Sequence, residues 1–205
     1  MNPPFSATVH SRIQKIYTRP RLYDHLYKHT LDLGRKVATL ALPQKRPLKV
    51  LEVGFGSGLS LRYYPEDIEL TGIDPSEHML SIAKKRAAKE ERIIELLEMD
   101  GAHLTFPDHT FDAVFFLYVL SVAPNTESLL QEAWRVLKPG GVAVIANHFQ
   151  GGIPLLRKLT FLTQHIGYHT QMRMEQVLEA PGFTVLQNRK LGSNRIIVLQ
   201  KTNEE

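Results

Sequence analysis

The stretch Val50-Leu51-Glu52-Val53-Gly54-Phe55-Gly56-Ser57-Gly58 is an apolar run that carries one acid and then breaks into three glycines at alternate positions. Its first half is short and apolar, as in a buried parallel strand, and we expect that strand over Leu48–Val53. The alternating glycines let the backbone turn sharply and approach a ligand closely. Asp74 ends a second apolar run 20 residues after Gly54, where a carboxylate can accept hydrogen bonds from both hydroxyls of a ribose. The stretch therefore predicts a loop that binds a nucleoside-bearing cofactor.

The spacing of the glycines separates classes of cofactor. The loop reads G-x-G-x-G, and Leu59 stands where the dinucleotide fingerprint G-x-G-x-x-G needs its third glycine. A pyrophosphate is bound less well without that fingerprint, because it relies on backbone donors clustered at a helix N-terminus. We therefore do not expect a nicotinamide or flavin dinucleotide.

Composition indicates one globular domain with a short N-terminal appendage. The chain has 205 residues, of which 43% are hydrophobic and 22% charged, and a domain commonly holds roughly 100–200 residues. It contains no cysteine, which excludes disulfides and thiolate metal sites, and we expect no bound metal. The first twenty residues have no apolar core, so we expect no signal peptide. The longest apolar stretch, residues 113–124, is shorter than the roughly 18 residues of a membrane-spanning helix.

Basic charge is concentrated at the N-terminal end. Residues 1–49 hold ten lysines and arginines but only two acids, which gives this segment a net charge of +8. Because the whole chain has a net charge of +4, the other 156 residues have a net charge of −4. Such a cluster suggests an anionic partner, either lipid head groups or nucleic acid. A pair of solvated, charged helices would give the same composition.

The alternation of strand and helix patterns predicts an α/β fold of the Rossmann-like, doubly wound type, with a mostly parallel sheet. We place an N-terminal amphipathic helical appendage at residues 1–47 and the main domain at residues 48–205, with an inserted helical segment at about 151–169. The predicted strands are Leu48–Val53, Leu70–Asp74, Ile93–Met99, Phe111–Leu117, Val142–Asn147 and two weaker ones near residues 183–188 and 194–200. The predicted helices begin with Ser57–Tyr63, continue with one capped by Ser76 that runs to about Lys89, and end with Thr126–Leu137, which Lys138-Pro139-Gly140-Gly141 stops.

Five segments in this order resemble the class I S-adenosylmethionine-dependent methyltransferases over residues 48–149. These segments are Leu-Glu-Val-Gly-Phe-Gly-Ser-Gly at 51–58, Gly-Ile-Asp-Pro-Ser at 72–76, Met-Asp-Gly-Ala at 99–102, Phe-Asp-Ala-Val at 111–114 and Val-Leu-Lys-Pro-Gly-Gly at 136–141. The resemblance implies S-adenosyl-L-methionine as the cofactor. It places Gly54, Gly56 and Gly58 at the methionine moiety, Glu52 at the amino end, Asp74 at the ribose, and Met79, Asp100 and Ala102 at the adenine.

Further segments are similar to the short bacterial phospholipid N-methyltransferases. They are Arg-Leu-Tyr-Asp-His-Leu-Tyr at 21–27, Gly34-Arg35, Gly-Ser-Gly-Leu-Ser-Leu-Arg-Tyr-Tyr-Pro at 56–65, Tyr118-Val119-Leu120 and Asn147-His148-Phe149. This resemblance implies transfer of methyl groups to the amine of phosphatidylethanolamine and its methylated intermediates, towards phosphatidylcholine. The segment after Gly151 departs from a recognisable pattern, and substrate selection could differ there.

The expected acceptor is an ammonium group at neutral pH if its pKa lies near the ~10.4 of lysine. It must lose a proton before its nitrogen attacks, and His148 after the fifth strand is our candidate base, although it could instead bond a loop carbonyl. Tyrosine faces attract cations, so Tyr118 at the end of the fourth strand is a candidate catalytic residue. Further candidate substrate-binding residues are Tyr17, Tyr23, Tyr27, Asn147 and Tyr168.

One helical face near the N-terminus is apolar and is flanked by Arg12, Lys15 and Arg19. Such a helix could lie in an anionic lipid interface or dock on the protein's own core. We expect a cytoplasmic protein, peripheral at the inner face of the membrane, that binds no nucleic acid.

The motif Asn2-Pro3-Pro4-Phe5 occurs in adenine N6-methyltransferases, but there it follows the fourth strand. Alternatives are a small-molecule or quinone methyltransferase of the same fold, and a noncatalytic cofactor sensor or lipid-surface binding module; the sequence predicts no oligomeric state.

Overall fold

The computed structural model describes residues 31–45, 47–148, 174–192 and 194–202, with the backbone alone at position 148. Seven strands form one sheet: β1 (Leu48–Val53), β2 (Ile68–Asp74), β3 (Glu95–Glu98), β4 (Phe111–Leu117), β5 (Leu137–His148), β6 (Phe183–Leu191) and β7 (Asn194–Lys201). The helices are α1 (residues 31–39), α2 (Glu77–Lys89), α3 (Thr126–Val136) and α4 (Met174–Leu178), with a 3₁₀ turn at Leu61–Tyr63. Within these ranges, no helix has the length and apolar character to cross a membrane.

The strand order is β3-β2-β1-β4-β5-β7-β6. Strands β1 to β5 pair in parallel, whereas β7 lies antiparallel between β5 and β6. The chain proceeds outward from β1 to β3 and then crosses back to β4, so the order reverses between β1 and β4. Ligands of open α/β sheets bind at such a reversal, beyond the carboxyl ends of the strands. The predicted doubly wound, mostly parallel sheet is confirmed.

Helices cover both faces of this sheet and form two apolar cores. The first core contains Leu31 and Ala38 of α1 and Ala83 of α2. The second contains Leu129 of α3 and Val177 of α4. The interior strands β1 and β4 are buried along nearly their whole length, because helices pack on both of their faces. Ser76 caps α2 as predicted, since its hydroxyl accepts a hydrogen bond from the Met79 N–H at 3.3 Å.

The predicted helix beginning at Ser57 was wrong. The chain instead makes turns and a single 3₁₀ turn at Leu61–Tyr63. Ser60 precedes that turn without capping it, because its hydroxyl donates to the buried Glu52 carboxylate instead. Gly58 also has a φ of +76°, which is incompatible with a right-handed helix at that position. The backbone conformation of the glycine loop and the hydrogen bond from Ser60 to Glu52 therefore take the place of the predicted helix.

Several predicted boundaries also differ from the observed ones. The helix expected to reach Leu137 ends at Val136, and β5 begins at Leu137 rather than at Val142. The Lys138-Pro139-Gly140-Gly141 stretch lies inside this longer strand, where a register shift between Phe111 and Ala113 of β4 accommodates it. Strand β3 is shorter than predicted, covering Glu95–Glu98. The predicted appendage lies mostly outside the described residues, as does the 151–169 segment.

Candidate cofactor and acceptor site

The glycine loop follows β1 and is hydrogen-bonded to the carboxyl end of β2. The backbone N–H groups of Gly54 and Phe55 both donate to the Ile73 carbonyl at 2.9 Å. Gly54 has a φ of +74°, and a Cβ there would lie 2.5 Å from Val119 Cγ2. A side chain at this position is therefore excluded both by backbone strain and by Val119, the second residue after β4. The loop thus lies at the carboxyl ends of β1 and β2, where the sequence predicts the cofactor.

Asp74 joins the loop to the helix after it. Its carboxylate accepts hydrogen bonds from the N–H of Gly56 and of Ser76, each at 2.9 Å. Burial raises the pKa of Asp74, and the two N–H bonds partly offset that rise. Each carboxylate oxygen keeps acceptor capacity, so Asp74 is placed to meet the ribose hydroxyls, although that contact stays a prediction.

The predicted adenine residues lie around the same end of β2. The Met99 N–H donates to the Asp74 carbonyl at 3.3 Å, which brings Asp100 alongside the loop. Asp100 accepts a hydrogen bond from the Ala102 N–H at 2.9 Å, so its carboxylate shapes this turn. Met79 is buried, and its Cε would lie 3.5 Å from a Cβ built at Gly56. The structure therefore brings the predicted cofactor residues together.

Glu52 is a buried acid at the end of β1, with 2% of its surface exposed. Its two oxygens accept from the Ser60 hydroxyl at 2.9 and 2.8 Å. Burial raises its pKa to about 7, against the opposing effects of Ser60, Tyr64 and Arg35. The Tyr64 hydroxyl lies near this carboxyl outside good hydrogen-bond geometry. Glu52 is thus more than a polar residue at a strand end, because a dedicated polar pocket surrounds it.

Tyr118 follows β4 in the left-handed conformation, with a φ of +67°. Strand alternation would put its ring in the second core with Phe116, but this conformation turns the ring into the first core beside Leu117. Its hydroxyl lies 3.2 Å from the Leu31 carbonyl and 3.3 Å from Asn194 Oδ1. The ring is therefore held against α1 and β7, and its predicted role at the acceptor stays a prediction.

Asn147 and the backbone of His148 lie beside this tyrosine. The Tyr118 N–H donates to the Ala146 carbonyl at 2.7 Å. Asn147 is fully buried and pairs with Arg195 of β7, while the His148 backbone pairs with Asn194. The strand ends thus bring the predicted acceptor residues of β4 and β5 to one place. The His148 side chain lies outside the described part of the chain, so its role as base stays a prediction.

Sequence reasoning gave no role to Arg35, which the structure buries beside Tyr118. Its guanidinium carbon lies 5.5 Å from the centre of the Tyr118 ring. One signal could have revealed it: Arg35 occupies the same helical stripe as the buried Leu31, Ala38 and Leu42. A charge on an apolar stripe is unusual, because burying it costs free energy unless a partner compensates.

Other predicted site residues fall outside the described residues. They are Arg12, Lys15 and Arg19 at the membrane, and Tyr17, Tyr23, Tyr27 and Tyr168 at the substrate. Across residues 31–45, 47–148, 174–192 and 194–202, no group of three or more His, Asp and Glu side chains is arranged to hold a metal ion.

Comparisons with known proteins show which families and structures this chain resembles. A family model described as "Methyltransferase domain" matches residues 51–145. The phosphatidylethanolamine N-methyltransferase of Cereibacter sphaeroides is 35% identical over 181 residues, which cover 85% of this chain and 89% of that protein. A ubiquinone/menaquinone biosynthesis C-methyltransferase of Bartonella henselae is 31% identical over 75% of this chain, but over only 60% of its own length. A chain in the complex between a Haloferax volcanii methyltransferase activator and a methyltransferase superposes with a TM-score of 0.77 at 19% identity, covering 93% of this chain and 98% of that one.

Proposed function

We propose, since the chain belongs to the class I S-adenosylmethionine-dependent methyltransferases, that it methylates the amine of phosphatidylethanolamine and its methylated intermediates, towards phosphatidylcholine. The observation that carries this proposal is the 35% identity to the Cereibacter sphaeroides enzyme over 89% of that protein's length. The quinone C-methyltransferase match covers less of both chains. We place the reaction at the inner face of the cytoplasmic membrane, with Arg12, Lys15 and Arg19 as the proposed membrane contacts.

The residues present fit S-adenosylmethionine, which supplies an electrophilic methyl carbon on a sulfonium sulfur. The loop is open beside Gly56, where a Cβ would meet only ordinary van der Waals contact, with Met79 Cε at 3.5 Å. Asp74 offers buried carboxylate acceptors next to the loop, since it accepts a hydrogen bond from the Gly56 N–H at 2.9 Å. Positioning of this kind is the main contribution that a protein makes to an in-line displacement, because the reacting atoms must be aligned.

The proposed acceptor enters as an ammonium, so the protein must also remove a proton. Burial raises the pKa of Tyr118 to about 12, and its hydroxyl therefore keeps its proton at neutral pH. That favours His148 as the proton acceptor, because a neutral imidazole can accept at pH 7. The Tyr118 ring would instead contribute its negative face to a cationic substrate and product.

Cations at the edge of the sheet suit a phosphate-bearing head group. No Asp or Glu occurs in residues 183–202, whereas Arg189, Lys190 and Arg195 lie near the β6–β7 turn. Lys190 pairs directly with Arg195 across the two strands, and like charges in that relation destabilise a sheet. Arg195 in turn pairs with the buried Asn147. A bound phosphate would relieve the repulsion at the cofactor end of the sheet, which supports a phospholipid acceptor.

The test incubates purified protein with methyl-labelled S-adenosylmethionine and vesicles, followed by separation of the lipids. One vesicle preparation contains phosphatidylethanolamine, and matched preparations contain phosphatidylcholine alone or phosphatidylcholine with demethylmenaquinone. We expect label in mono-, di- or trimethylated lipid from the first preparation only. Label in the quinone alone would identify the C-methyltransferase alternative. Calorimetric binding of the cofactor without label in any acceptor would favour a noncatalytic sensor.

A further inference from the structure

Helix α1 carries a buried arginine that forms no direct ion pair with any acid of the described residues. Arg35 is 6% exposed, although a guanidinium stays charged in proteins. Within the described part of the chain, its Nη1 has no hydrogen-bond partner and no acid forms an ion pair with it. An uncompensated buried charge costs several kcal/mol. A ligand that brings a negative charge to Arg35 would remove this penalty.

A buried carboxyl group, that of Glu52, lies within electrostatic range of Arg35. Arg35 is close enough to Glu52 to lower the pKa of that carboxyl, yet the two side chains make no direct ion pair. Glu52 is fully enclosed and has Ser60 as its hydrogen-bonding partner. The cofactor end of the sheet thus holds a buried guanidinium and a buried carboxyl group that interact electrostatically without a direct ion pair.

The methionine end of S-adenosylmethionine matches this pair of charges. Its α-carbon bears an ammonium and a carboxylate, so one zwitterion could lie between a cation and an anion. We propose that Arg35 binds the α-carboxylate of the cofactor, on the side of the methionine moiety opposite to Glu52. The planar guanidinium suits a carboxylate because it can donate two parallel hydrogen bonds. This inference rests on the cofactor alone, so it does not depend on the proposed acceptor lipid.

A lipid phosphate fits Arg35 less well. A phosphate would neutralise the guanidinium but would bring a second negative charge towards Glu52 and Asp74, which already raises the pKa of Glu52. A purely structural role would have Arg35 hold the Tyr118 ring through the cation–π contact. These alternatives differ in which ligand loses affinity when Arg35 is replaced.

The test measures binding by isothermal titration calorimetry with three ligands. S-adenosylmethionine carries both charges, its decarboxylated form carries the ammonium only, and 5′-methylthioadenosine carries neither. We expect Arg35→Gln to weaken S-adenosylmethionine binding by about 10- to 100-fold, the range of one charge-assisted contact. The other two ligands should change less than twofold. Arg35→Lys should fall between the two proteins, and Lys36→Gln on the exposed face of α1 is the matched control.

Each other outcome overturns the assignment. An equal loss for all three ligands would show that Arg35 supports the loop or Tyr118 rather than a carboxylate. Unchanged cofactor affinity with a raised KM for lipid vesicles would move Arg35 to the acceptor. If Arg35→Gln does not fold, the unaltered protein still decides the question, because equal affinity for S-adenosylmethionine and its decarboxylated form would contradict the proposal. Failure of lipid methylation would leave this binding result intact.

Discussion

The two halves of the sheet differ in strand direction, in burial and in the charged groups that they carry. The half formed by β3, β2, β1 and β4 is entirely parallel and carries buried acids at its strand ends. The half formed by β5, β7 and β6 contains both antiparallel pairs, and β6 is exposed through its centre on both faces. The first half holds the predicted cofactor residues, several of which are enclosed, whereas the second presents cations to solvent.

This difference sets the size of each expected effect. A hydrogen bond or charge in an enclosed site acts in a low effective dielectric, where one side chain can change affinity by orders of magnitude. Exposed charges are screened by salt and contribute by summation. A single substitution in the cofactor half should therefore cause a large loss of cofactor affinity. A single substitution in the acceptor half should cause a small, salt-dependent loss of vesicle binding.

The largest effect is expected for Asp74→Ala. The variant loses both predicted ribose contacts, and hydrogen bonds to a charged group contribute roughly 1.5–3 kcal/mol each. Cofactor affinity should fall about a thousandfold, measured by calorimetry. Asp74→Asn, which keeps one oxygen for the Gly56 N–H, should lose less. Unchanged affinity in both variants would show that the ribose lies elsewhere, and sedimentation with vesicles should stay unaltered in either.

Where a feature is specified by neighbouring residues, the sequence predicts the fold correctly and predicts which residues lie together at the glycine loop. The glycine spacing, the acid ending β2 and the Ser76 cap are each specified by neighbouring residues, and the structure places them together. Spacing alone could also rule against a dinucleotide. The acceptor was predicted only through family resemblance, because no local pattern encodes an amine site.

The features that sequence reasoning missed all depend on how distant segments pack. Tyr118 faces α1 because its left-handed backbone reverses strand alternation, and Gly34 is needed opposite, since a Cβ there would overlap the Tyr118 hydroxyl. The Ser60 hydroxyl donates a hydrogen bond to Glu52 instead of capping a helix. Arg35 gains a site only when α1 docks beside the loop. None of these choices can be read from neighbours along the chain.

The second effect concerns stability and pH in Glu52→Gln. The pKa of Glu52 is raised from 4.5 to about 7, so the folded protein favours the protonated acid. Its contribution to stability is fully present below pH 4.5 and is lost as the pH rises through 7. The total is about 3 kcal/mol, from 1.36 kcal/mol per pKa unit. Glutamine does not titrate, so the variant should become more stable than the unaltered protein as pH rises.

Urea unfolding at two pH values measures this difference. The stability gain of Glu52→Gln should grow by about 2 kcal/mol between pH 5.5 and pH 8, while cofactor binding weakens. Glu66→Gln, which replaces an exposed acid, serves as the control and should show no such growth. A gain that is equal at both pH values would mean that Glu52 is ionised in the folded protein throughout this range, as an acid with a strong cationic partner would be.

The smallest effect is expected at the exposed β6–β7 edge. It is tested with two double variants that remove the same charge from different elements. Arg189→Gln with Lys190→Gln removes two cations from β6, and Lys84→Gln with Lys85→Gln removes two exposed cations from α2. A basic residue near an anionic membrane contributes about 1 kcal/mol, or roughly fivefold in binding. Sedimentation with phosphatidylglycerol vesicles at low salt should therefore fall about 25-fold for the β6 pair, and little for the α2 pair. Added salt should reduce the difference, because it screens exposed charges. Equal losses in both pairs would show that net charge, rather than the β6–β7 edge, attracts the membrane.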